Sequence, residues 1–172
     1  MTVSHRSARR ALLAAAGGLL LPAARVAAAA APGDTVVWPT LTFVDGSSIA
    51  AGDWNDVAAI VVFWATWCPY CRRHNPRIDR LYRERAGAGL RVFGVAIDGD
   101  AALIRRTVHE RGYTMPTITG DGALRERFTT RRVVPLTAVV GRDRRLLQLI
   151  PGEMAEDDVM ALADAALAPR PR

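Results

Sequence analysis

An unbroken apolar run, Ala58-Ala59-Ile60-Val61-Val62-Phe63, feeds directly into Trp64-Ala65-Thr66-Trp67-Cys68-Pro69-Tyr70-Cys71. The pattern then turns abruptly to charge at Arg72-Arg73-His74. Six consecutive apolar residues fit a strand covered on both faces, as in the interior of a layered α/β sheet. The charged stretch reads as a helix beginning near Pro69, because the N–H that proline lacks would be unpaired in a first turn anyway. The chain has only two cysteines, and both fall at this strand-to-helix junction. A Cys-x-x-Cys pair in that setting reads as thiol–disulfide chemistry.

The rest of the 172 residues extends the same architecture. Residues 36–44 are rich in β-formers, and Asp45-Gly46 signals a hairpin turn before Ser48-Ile49-Ala50. Trp38 and Trp54 read as packing residues. The helix from Pro69 should run to about Ala86, bent at Pro76, with Ile78, Leu81 and Tyr82 inward. Leu90–Ile97 reads as a second buried strand. A helix over residues 101–111 should turn Leu103, Ile104, Thr107 and Val108 inward, and Gly112 stops it. A short strand over 115–119 and a short helical piece through Phe128 come next. Leu136–Val140 and Leu146–Ile150 then form an antiparallel hairpin, and a helix over 153–167 closes the domain with Val159, Leu162, Ala163 and Ala166 inward. These elements make an α/β sandwich with a mixed central sheet. Pro135 cannot donate to a sheet ladder, so it belongs at the head of its strand, with a cis Val134–Pro135 bond as the matching geometry.

Residues 1–31 read as an export signal, leaving residues 32–168 as the folded domain and 169–172 as a frayed tail. Arg6, Arg9 and Arg10 precede an apolar stretch, Ala11–Leu21, and Ala27–Ala31 offers small-residue cleavage frames. Arg9-Arg10-Ala11-Leu12-Leu13 also fits a twin-arginine signal, so the general secretory and twin-arginine routes both stay open. Retention as an uncleaved membrane anchor is a third outcome, given Arg25 beside the cleavage region. The net charge of +6 owes much to this segment. Without its four arginines, 19 arginines face 17 acids, about +2, so nucleic acid is not an expected partner.

The stretch Phe63–Cys71, Pro76 five residues on, and Val134-Pro135 ahead of a hairpin together resemble thioredoxin-like proteins. Within them, the chain is similar to the exported TlpA/ResA branch of thiol–disulfide oxidoreductases. That resemblance covers roughly residues 35–168. It implies a thioredoxin-like sandwich with an N-terminal β-hairpin and an inserted helix–strand unit over about 100–119. It also implies an attacking Cys68, a resolving Cys71, and a Pro135 that faces the dithiol and presents substrate backbone together with Val134.

The residues explain why such a site works. Thiolate is the attacking species, and free N–H donors and the helix dipole at a helix N-terminus favour it at Cys68. Cys71 lies one turn further on, within disulfide reach. Exchange then runs through a mixed disulfide on Cys68 that Cys71 resolves. Trp67, Pro69 and Tyr70 border the pair as an apolar platform for an extended substrate. A purely structural disulfide here would close a loop of four residues and stabilise little. Thiol peroxidases of the superfamily carry Thr or Ser three residues before the attacking cysteine and Pro seven before it; Ala65 and Val61 stand there instead.

Three departures from the family bear on redox direction. Val62 stands where thioredoxin has a buried Asp, His74 where the exported branch often has Glu, and Pro-Tyr between the cysteines is the glutaredoxin pair. His74 is a candidate proton acceptor whose charge would change near neutral pH; the alternative is a partly exposed helical histidine without a role. Cys68, Cys71 and His74 also have the spacing of half a metal site, so a copper carrier is a rival reading. A disulfide-forming oxidant is another. The expected function is reduction of disulfides in exported, periplasmic proteins, with cytochrome c maturation as one client pathway. The Cys68–Cys71 disulfide would be the only redox centre, with no metal or further cofactor. A membrane electron donor would recharge a protein expected to be monomeric.

Overall fold

The computed structural model describes residues 29–169 apart from residues 88 and 121. The export segment and the tail therefore lie almost wholly outside the described residues. Within them, no helix is long and apolar enough to cross a membrane. The elements are β1 (Leu41–Thr42), β2 (Ser48–Ile49), a 3-10 turn (Ala51–Trp54), β3 (Ala58–Trp64), α1 (Pro69–Arg85), β4 (Leu90–Ala96), α2 (Ala101–Glu110), β5 (Thr117–Thr119), α3 (Gly122–Glu126), β6 (Leu136–Val140), β7 (Leu146–Pro151) and α4 (Glu156–Leu167). β1 and β2 form the small hairpin expected around Asp45-Gly46. The other five strands form one sheet in the order β5-β4-β3-β6-β7. β4 is parallel to both β3 and β5, whereas β6 is antiparallel to β3 and β7, so the sheet is mixed.

β3 is buried at every position, and its alternating side chains feed two cores. Ala58, Ile60, Val62 and Trp64 face Ile78 and Leu81 of α1 and Val159, Leu162, Ala163 and Ala166 of α4. Ala59, Val61 and Phe63 face an aromatic layer that includes Trp38, Trp54, Phe93 and Phe128. Trp38 and Trp54 stack there with centroids 4.2 Å apart. The expected strand over 36–44 shrinks to two residues. Upstream of it the chain crosses this aromatic face, packing Val36 and Trp38 inward, and pairs with residues 144–146 at the start of β7 around the Thr35–Arg145 bridge. The last helix starts at Glu156, later than expected, because residues 153 and 154 are engaged by α1: Arg73 pairs with Glu153, and the Met154 N–H donates to His74.

Gly94 of β4 shows how tightly the site end of the sheet is packed. A Cβ there would lie 2.9 Å from Trp64 Nε1 and 3.3 Å from Thr117 Oγ1. Gly94→Ala is therefore expected to destabilise the protein by about 1–3 kcal/mol through overpacking. Urea unfolding with an unchanged m-value is the measurement that checks it.

Candidate active site

The sheet register brings the site together. Phe63 pairs with Leu136, so the loop leaving the C-terminal end of β3 meets the residues that enter β6. That loop carries Thr66, Trp67 and Cys68; the entry to β6 carries Val134 and Pro135, joined by a cis peptide bond. From the neighbouring strand, Asp98 just beyond β4 accepts the Thr66 N–H at 2.8 Å and the Thr66 hydroxyl at 3.0 Å. This carboxylate fixes the loop before the cysteines. In the sequence no local signal distinguishes it from any other acid between a strand and a helix.

Cys68 is the N-cap of α1, with Pro69 in the first turn. Its sulfur accepts the Cys71 N–H at 3.3 Å, a donor that would otherwise be free at a helix start. On its other side Cys68 Sγ donates to the Val134 carbonyl at 3.6 Å. The cysteines are two unpaired, buried thiols. Burial, reinforced by the hydrogen bond and charge of Cys68, pushes the Cys71 thiol far above the usual range. Around this pair, Trp67 and Tyr70 are 65% and 55% exposed. Large aromatic rings left in solvent beside a buried dithiol form an apolar rim. Arg73 lies over the Tyr70 ring at 4.9 Å and is itself held by Glu153 at 2.8 and 3.0 Å. Pro69 is exposed, Val134 half-buried and Pro135 buried.

His74 differs from both sequence expectations. It is fully buried, not partly exposed, on the inner face of α1. The Met154 N–H donates to Nδ1 at 3.3 Å, and Nε2 lies 3.1 Å from Thr137 Oγ1. Burial, then the nearby Arg77, lowers its pKa from 6.5 to about 4, and Glu153 opposes this weakly. The ring is therefore neutral at neutral pH, which corrects the expectation of a charge change there. An unfolded chain takes up this proton near pH 6.5 and the folded one near pH 4, so the associated stability is present above 6.5 and is lost as pH falls toward 4. The loss is expected to be about 2 kcal/mol by pH 5. Denaturant unfolding at pH 7 and pH 5 checks this, with the acid sensitivity reduced by that amount in His74→Leu.

A second buried polar set behind the dithiol was not legible in the sequence. Asp79, 2% exposed on α1, accepts the N–H groups of Thr114 and Met115 at 2.5 and 2.7 Å and also pairs with Arg83. It pins the segment carrying Tyr113, whose ring packs edge-on against Trp64 at 5.9 Å. Among the described residues, no three His, Cys, Asp or Glu side chains gather as metal ligands. His109 is exposed on α2.

With this geometry established, comparison with known proteins identifies the family. A model of the AhpC/TSA family matches residues 32–147. The chain belongs to the AhpC/TSA family. It is 25% identical over 127 residues to the thiol-disulfide oxidoreductase ResA of Halalkalibacterium halodurans, covering 74% of this chain and 72% of that one. ResA of Bacillus thuringiensis is 23% identical over 121 residues, 69% of each chain. A thiol:disulfide interchange protein of the thioredoxin family from Chlorobium tepidum superimposes with a TM-score of 0.71 at 22% identity, covering 80% of this chain and 99% of that one. StoA from Bacillus subtilis superimposes at 0.64 and 14% identity, covering 75% and 98%. The fold is thioredoxin-like, and the protein is a thiol–disulfide oxidoreductase resembling the ResA group.

Proposed function

We propose that this AhpC/TSA family member is an extracytoplasmic reductase of protein disulfides, with Cys68 attacking and Cys71 resolving. The Cys68 thiolate attacks one sulfur of a substrate disulfide, forming a mixed disulfide and releasing one substrate thiolate, which takes up a proton. Cys71 then loses its proton and attacks Cys68 Sγ, releasing the second substrate thiol and leaving the Cys68–Cys71 disulfide. Two electrons pass to the substrate, and a membrane-bound dithiol donor returns them in the next half-cycle. Trp67, Pro69, Tyr70, Val134 and Pro135 border the path of an extended polypeptide. The redox-active pair needs no metal or other cofactor, and the protein works as a monomer.

The observation that carries the direction is the set of contacts around the Cys68 sulfur. A dithiol becomes a strong oxidant when its reduced form is stabilised, as by a thiolate held in a favourable field. Here the Cys68 sulfur has one N–H donor, from Cys71, and its other neighbour is the Val134 carbonyl oxygen, so the reduced form is held by few contacts and the dithiol is reducing. The basic and apolar start of the chain, Arg6 to Leu21, supports export, and exported disulfide-bonded proteins such as cytochrome c precursors are the matching clients.

Equilibration against glutathione buffers tests the direction. The expected reduction potential lies below about −200 mV, and a value near that of a strong disulfide-forming oxidant overturns it. Expression of the whole chain followed by fractionation and N-terminal sequencing tests export. A processed chain outside the cytoplasm is expected, and a full-length chain confined to the cytoplasm is the contrary result. Tight stoichiometric copper binding without exchange activity would favour a carrier instead.

A further inference from the structure

We propose that His74 is a positioning residue that holds the Val134–Pro135 segment against the dithiol helix in every redox state. The hydrogen bonds fix its tautomer. Because the Met154 N–H donates to Nδ1, that nitrogen carries no hydrogen, and Nε2–H donates to Thr137 Oγ1. One buried ring thus joins three elements: α1, which bears the cysteines; β6, two residues beyond Pro135; and the connection from β7 to α4. The same connection is tied to α1 from outside by Arg73 and Glu153.

Among the described residues, two hydrogen bonds tie the start of α1 and its inner face to this end of β6, and one of them survives catalysis. The Cys68 Sγ contact to the Val134 carbonyl requires a hydrogen on sulfur. It is lost in the thiolate, in a mixed disulfide and in the Cys68–Cys71 disulfide. The His74–Thr137 contact involves no redox atom and persists throughout. Its burial excludes competing water, so the tie has a defined length and direction. The inference rests on the proposed docking of a polypeptide along Val134–Pro135, but it holds for electrons moving in either direction.

The test compares a disulfide-bonded polypeptide with hydroxyethyl disulfide, a small linear disulfide that reaches Cys68 without lying along β6. Thr137→Val keeps the side-chain shape and removes the acceptor, and His74→Leu removes both ring contacts. Each is expected to lower kcat/KM for the polypeptide about tenfold or more, mainly through KM, because small misplacements of a docking surface are amplified in rate. Rates with hydroxyethyl disulfide should change less than about twofold, and the reduction potential should not move, because the tie is common to both redox states. Equal losses on both substrates, no loss on either, or a shifted potential overturns the inference. Thr137→Val decides alone if His74→Leu does not fold. Pro135→Ala separates the two readings. If it leaves the ratio of polypeptide to hydroxyethyl disulfide rates unchanged, the docking reading falls and this inference with it. If it alters the ratio while the 74 and 137 variants do not, only the role of His74 falls.

Discussion

Cys68→Ser is expected to remove disulfide exchange by at least about a thousandfold, because a serine hydroxyl stays protonated at neutral pH and cannot replace a thiolate nucleophile. Cys71→Ser is expected to behave differently. Cys68 can still attack, but nothing resolves the product, so a covalent mixed disulfide with the substrate accumulates and is released by dithiothreitol. Insulin-disulfide reduction and non-reducing gels of the two variants check this pair of outcomes. Trapping on Cys68→Ser and not on Cys71→Ser would reverse the assigned roles. The asymmetry has a structural basis. Cys68 sits at the N-cap and receives the Cys71 N–H, whereas Cys71 lies inside α1 with burial opposing its charge.

Asp79→Ala is expected to be the most damaging single change outside the dithiol, costing about 3–5 kcal/mol. The substitution leaves the Thr114 and Met115 N–H groups and the Arg83 guanidinium without their carboxylate partner. Met115 is itself buried, so water cannot fully replace the lost acceptor at its amide. The segment Tyr113–Met115 should loosen, and with it the edge-on packing of Tyr113 against Trp64 behind the cysteines. Thermal unfolding and hydrogen exchange at residues 113–115 measure both effects. Arg83→Ala should cost less, because Asp79 keeps the Thr114 and Met115 N–H groups and the Thr114 hydroxyl as donors.

The element order was legible because its signals are local. The Ala58–Phe63 run, the Pro135 at a strand head and the turn at Asp45-Gly46 each act within a few residues, and β3, α1, β6 and the inner face of α4 formed where those signals stand. The failures are long-range. The segment before Leu41 has β-forming residues, yet its apolar side chains gain more by crossing the aromatic core than by extending the hairpin. Residues 153–155 carry helix-compatible side chains, but Glu153 and Met154 are bound to Arg73 and His74, residues about 80 positions earlier.

The chain's sequence was enough to point to the chemistry: two cysteines three apart, at a junction where a buried strand becomes a helix, read as thiol–disulfide exchange, with a metal carrier as the rival. It could not decide how charge behaves around them. His74 looked like a titrating neighbour of Cys71 because helical spacing alone brings it within a turn. Burial against β6 and the Met154 amide makes it a neutral joint instead, since desolvation lowers the affinity of imidazole for a proton. The same is true of Asp79 and Asp98, ordinary acids in the chain order, whose partners Met115 and Thr66 lie more than 30 residues away. Local pattern sets which atoms can react. Tertiary packing sets which of their neighbours are dry, paired and charged.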